Sequence, residues 1–75
     1  VNKNPTLISR DKLTAAALAR SKAGLSQSAF AALLGVSTRT LQDWEQGRRQ
    51  PTGAAQMLLR VAVAHPEALR DLQRA

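Results

Sequence analysis

An all-α, compact five-helix domain is predicted for these 75 residues by three observations. Apolar residues recur at three- and four-residue spacings, the helical period, and nowhere alternate as a strand does. Ser9, Ser26, Ser37 and Thr52 each stand before such a stretch as an N-cap, and Pro66 stands where a first helical turn tolerates it. Gly24, Gly35, Gly47 and Pro51 punctuate the intervals.

Residues 1–8 are polar, contain Pro5 and have no period, so they are read as a flexible arm, with the domain proper over residues 9–75. The first residue is Val rather than Met, as in a trimmed chain, which leaves room for a preceding segment. Helix one is expected over about residues 10–22, capped by Ser9, with Leu13, Ala16, Ala17 and Arg20 sharing a face. Helix two is expected over 27–34 behind Ser26, with Phe30, Leu33 and Leu34 inward and Gly35 as a left-handed stop. Val36 is placed as a plug at the corner. Ser37 then caps helix three, about 38–46, whose Leu41 and Trp44 face inward while Thr38, Arg39, Gln42 and Asp43 face out.

Residues 47–51 form a loop, and Thr52 caps helix four over about 53–64. That helix is apolar nearly all round, with Met57 read as core filler, so it is central or lies at an interface. The fifth helix starts at Pro66 and carries a short stripe, Leu69 and Leu72. A core this small rarely supplies more than about 3–5 kcal/mol. With no cysteine for a disulfide or thiolate metal site, the remaining supports are helix packing, dimerisation, or both. Leu69 and Leu72, with part of helix four, are the expected dimer surface.

Two short helices around the break Gly35-Val36-Ser37 have the form of a helix-turn-helix, which sets its second helix in the major groove of DNA. The net charge of +6 favours an anionic partner. Its distribution is less pointed: five cations and one acid precede Leu25, whereas residues 25–53 hold three cations and two acids. One Phe, one Trp and no Tyr argue against single-strand binding by base stacking. No apolar run approaches the ~20 residues of a membrane span, and no secretory pattern opens the chain, so a cytoplasmic location, on the bacterial nucleoid, is expected.

The string Leu25-Ser26-Gln27, Phe30-Ala31, Leu34-Gly35-Val36-Ser37, Leu41, Trp44-Glu45 and Gly47 resembles the Cro/phage-repressor (XRE) class of helix-turn-helix, which has a lambda-repressor-like fold. The stretch from Arg39 to Arg48, followed by Pro51-Thr52-Gly53, Leu58-Leu59 and His65-Pro66-Glu67, resembles the DNA-binding half of HigA/MqsA-type antitoxins. Without cysteine, these residues hold no counterpart of the MqsA-type zinc-binding domain. The resemblance implies a homodimer on a palindromic operator, and an antitoxin that also neutralises a cognate toxin protein. A toxin-binding module with secondary DNA binding and a plain phage-type repressor are the alternatives.

The chemistry of the outward residues fits base reading. The planar fork of Arg39 can bond guanine O6 and N7 together, a contact worth ~1–3 kcal/mol of discrimination. Thr38 can reach a base edge or a thymine methyl, and Gln42, one turn on, can pair with adenine. Asp43 is placed with them and has two readings: acceptor from cytosine N4, or a partner that orients Arg39. By resemblance, Gln27 and Ser28 at the start of helix two bind phosphate with the help of the helix N-terminus. Thr40, Arg48 and Arg49 are further phosphate candidates. The resemblance also pairs Glu45 with Arg20 across helices one and three. His65 has no second ligand or ordered base beside it in sequence, and no serine sits in a nucleophile elbow, so no catalytic residue, metal or cofactor is expected.

Overall fold

The computed structural model describes residues 13–74. Five helices follow in order: α1 (Ala15–Ala23), α2 (Gln27–Leu34), α3 (Thr38–Glu45), α4 (Gly53–Ala64) and α5 (Pro66–Arg74). Among the described residues the secondary structure is all α-helical. The flexible-arm reading of residues 1–8 and the Ser9 cap lie outside the described residues.

Each of the first four helices begins on a hydroxyl. Thr14, Ser26, Ser37 and Thr52 accept from the backbone N–H three residues on, at 3.1, 3.1, 3.0 and 3.3 Å. This satisfies one of the orphan donors of each first turn. The cap of α1 is therefore Thr14, and Leu13 precedes the helix instead of lying on its inner face. At the far end of α2, Gly35 takes the left-handed conformation with φ 75°. Gly35 N–H then reaches Ala32 O at 3.1 Å and Val36 N–H reaches Ala31 O at 3.0 Å, the paired bonds of a Schellman ending. A residue with a Cβ would be strained there, so the corner depends on this glycine.

The core is built from Ala16, Ala19, Phe30, Ala31, Leu41, Trp44, Leu59, Ala62 and Leu69. Along α1 the buried positions are Ala16, Ala19 and Ala23, so the inner face is turned away from the expected one through Ala17. Five of the nine α1 residues are alanine, and an alanine run gives little contrast from which to fix a register. These small side chains let α4 pack closely on α1, while α3 and α5 close its other sides. Val36, Leu33 and Leu34 are partly buried against this core.

Two expectations for the C-terminal half are corrected. Met57 is exposed, not core filler, and Leu58 and Val61 beside it on α4 are exposed too. Only Leu59 and Ala62 of α4 are fully buried. Leu69, expected on a dimer surface, is buried inside the protomer at 5% exposure, because α5 folds back on α1, α4 and α2 and carries Leu69 into the core. Leu72, one turn later, is 63% exposed.

Candidate nucleic-acid interface

Leu41 and Trp44 anchor α3 to the core, which fixes the side of the helix that faces out. On that outer side the Arg39 side chain is 78% exposed. Thr38, Thr40 and Gln42 are half-buried. Thr40 is occupied locally: Ser37 donates its hydroxyl to Thr40 Oγ1 at 3.0 Å.

Asp43 is the residue whose position differs from the sequence expectation. It is buried, not displayed. Arg48 donates to its Oδ1 through Nε at 3.0 Å and through Nη2 at 2.7 Å. Arg39 Nε lies 3.5 Å from the same oxygen. The reason is the loop after α3, which curls back so that Arg48 N–H meets the Asp43 carbonyl at 2.9 Å. Hydrogen bonding from Arg48 holds the Asp43 carboxyl below the usual carboxylate range; the charges of Arg48 and Arg39 act in the same direction, and burial opposes them.

A second polar chain runs beneath the other flank of α3. Arg20 grips Glu45 with two donors, Nε to Oε2 at 2.6 Å and Nη2 to Oε1 at 3.2 Å, and its Nη1 reaches the Leu25 carbonyl at 3.2 Å. Gln27 donates to Glu45 Oε1 at 3.2 Å, and Gln42 donates to Gln27 Oε1 at 3.3 Å. The chain thus leads from a bidentate ion pair under α1 to an amide on the outer side of α3. Gln42 keeps its carbonyl oxygen and one amide hydrogen, the pair an adenine edge demands.

Thr14 completes this support. While its hydroxyl oxygen caps α1, its hydroxyl hydrogen goes to the Glu45 carbonyl at 2.9 Å, the last residue of α3. Sequence reasoning missed this tie. The available signal was a threonine immediately before the alanine run, a better-placed cap than Ser9.

The remaining phosphate candidates fall into two groups. Gln27 is committed to Glu45 and Gln42, whereas Ser28 is exposed at the start of α2, with Ser26 Oγ 3.3 Å from its own. Arg48 is half exposed yet spends its donors on Asp43 and on Gln46 Oε1. Arg49 lies on a cleft of about 320 Å³ lined also by Thr14, Trp44, Pro51 and Arg60. His65 sits exposed at the end of α4 with Nδ1 3.4 Å from Glu67. Among the described residues no three His, Asp or Glu side chains are grouped so as to hold a metal ion. No helix there is long and apolar enough to cross a membrane.

Residues 16–55 match the family model described as Helix-turn-helix, which takes in α1, α2, the turn, α3 and the start of α4. The chain is also similar to Antitoxin HigA-2 of Vibrio cholerae serotype O1, with 45% identity over 53 residues. That alignment covers 71% of this chain and 51% of the relative, so the chain spans about half the length of the curated protein it matches.

Proposed function

Because the chain belongs to the XRE-type helix-turn-helix family, a family of DNA-binding regulators and not of enzymes, we propose that it is a sequence-specific repressor of double-stranded DNA that serves as the autoregulating antitoxin of a type II toxin–antitoxin pair. The observation that carries the DNA reading is the outer side of α3. Arg39 is exposed there beside Asp43, and Gln42 is already oriented by Gln27. In this reading Thr38, Arg39 and Gln42 contact base edges. Gln27, Ser28, Thr40, Arg48 and Arg49 lie toward the phosphates, where Arg48 adds charge from its place on Asp43. The antitoxin part is supported by the likeness to Antitoxin HigA-2. The acting site is then the cytoplasm, on the nucleoid.

A homodimer is part of the proposal, since two copies of α3 in successive major grooves, ~34 Å apart, read a palindromic operator. Leu72 on α5 and the exposed Met57, Leu58 and Val61 on α4 supply its apolar surface. The last three fall on one side of α4 at positions i, i+1 and i+4. The same surface favours a second reading, in which a toxin protein covers it and DNA binding is secondary. The test is binding to duplex DNA from the chain's own promoter region against a scrambled duplex, with a salt titration. Preference for the promoter duplex that survives raised salt supports repression. Equal affinity for both overturns it.

A further inference from the structure

We propose that Asp43 is a positioning residue for base readout, one that holds the Arg39 guanidinium end-on toward the major groove and does not itself touch a base. The inference rests on the reading of α3 as the recognition helix. Two guanidinium groups converge on one oxygen, Asp43 Oδ1: Arg48 from the following loop donates to it through Nε and Nη2, and Arg39 from the preceding turn of α3 forms an ion pair with it, Nε at 3.5 Å. The Asp43 side chain is 9% exposed while that of Arg39 is 78% exposed, so the pair has one fixed end and one presented end.

The geometry favours one edge of the arginine. With Nε the guanidinium atom nearest Asp43 Oδ1, Nη1 and Nη2 remain for the O6 and N7 acceptors of a guanine. A carboxylate used directly as a reader would have to approach phosphates that repel it. Buried between two guanidinium groups, it instead leaves the local charge positive, which suits the groove. Arg48 closes the arrangement from behind, since its third donor goes to Gln46 and its backbone N–H to the Asp43 carbonyl. An exposed arginine pairing with an aspartate one turn away is ordinarily a weak surface contact. Here the aspartate is pinned by a third residue, so the tether limits the rotamers from which Arg39 starts.

The experiment uses duplexes selected by the wild-type chain from a randomised pool, compared base by base for wild type, Arg39→Ala, Asp43→Asn and Arg48→Ala. The expected result is that Asp43→Asn relaxes preference at the same guanine as Arg39→Ala, by about tenfold, and adds nothing in the Arg39→Ala background. Arg48→Ala, which unpins Asp43, lowers affinity for all duplexes and also relaxes that guanine, by less than Asp43→Asn because the carboxylate stays beside Arg39. If Arg39→Ala relaxes the guanine and Asp43→Asn does not, the positioning role is overturned while Arg39 readout stands. If Asp43→Asn weakens every position evenly, Asp43 is only a clasp for the loop and the inference is overturned. If Arg39→Ala leaves all preferences intact, Arg39 readout itself fails. Should Asp43→Asn not fold, the free wild-type chain decides: an Arg39 Nε–H as mobile by NMR relaxation as that of Arg49 overturns the tether, and an ordered one supports it.

Discussion

Arg20 and Glu45 form a two-donor ion pair, 2.6 Å at its shorter contact, that fastens the last turn of α3 to α1. The Glu45 side chain is only 8% exposed, so the charge depends on its partners. Removing one member leaves the other poorly solvated, which typically costs ~3–5 kcal/mol. Arg20 is 31% exposed and so partly hydrated, which places Glu45→Ala near the lower end, about 3 kcal/mol. Denaturant unfolding should show that loss. A midpoint unchanged from wild type contradicts the role given to the pair.

Gln27 shares Glu45 with Arg20 and passes the constraint to Gln42. Gln27→Ala is expected to lower stability by only about 1 kcal/mol, the net worth of a typical hydrogen bond. Its effect on DNA should be larger in proportion, because the Gln42 amide then turns freely. Selected-duplex binding should lose preference at the base read by Gln42 while the unfolding midpoint moves little. Preference retained there by a folded Gln27→Ala variant counts against the relay.

Asp43 gives the fold a pH dependence of defined sign. Its carboxyl titrates lower in the folded chain than in the unfolded one, chiefly through hydrogen bonding from Arg48. The stabilisation is therefore present above the unfolded value of about 3.9 and is lost as pH falls through the lower folded value. Urea midpoints of wild type and Asp43→Asn should differ at pH 6 and converge below about pH 4. A gap that stays constant across that range contradicts the assignment.

The C-terminal half separates core from surface. Leu69→Asp puts a carboxylate among Leu59, Ala62 and their neighbours and is expected to unfold the chain. Leu72→Asp and Val61→Asp alter exposed positions and should leave the monomer folded, within about 0.5 kcal/mol of wild type. Sedimentation velocity then reads the dimer: these two variants should sediment as monomers at concentrations where wild type is dimeric. Unaltered association by both removes the proposed surface.

How much was legible in the sequence differs by element. The corner was, because Gly35 must adopt positive φ and Ser37 must cap, and Phe30, Leu41 and Trp44 are large enough to declare the inner side. The register of α1 was not, since alanines carry little contrast and Ser9, the cap expected from the sequence, precedes the observed cap Thr14. The burial of Asp43 was hidden because it comes from tertiary geometry: the loop returns Arg48 to it, and helical spacing alone sets Asp43 beside Arg39 on the outer side. Met57 and Leu69 exchanged roles for a related reason. Periodicity identifies an apolar side chain without saying whether its own chain or another molecule covers it.

Salt dependence distinguishes the reading residues from those that meet phosphate. Arg49 is exposed, with its backbone N–H 3.4 Å from the Asp43 carbonyl, so Arg49→Ala should weaken binding to all duplexes alike and reduce the salt slope by about one. The central claim, that α3 reads sequence in duplex DNA, is tested most directly by Arg39→Ala on selected and scrambled duplexes at several salt concentrations. The account predicts that this variant keeps salt-sensitive binding to both and loses most of the difference between them. An undiminished difference between the two duplexes contradicts it.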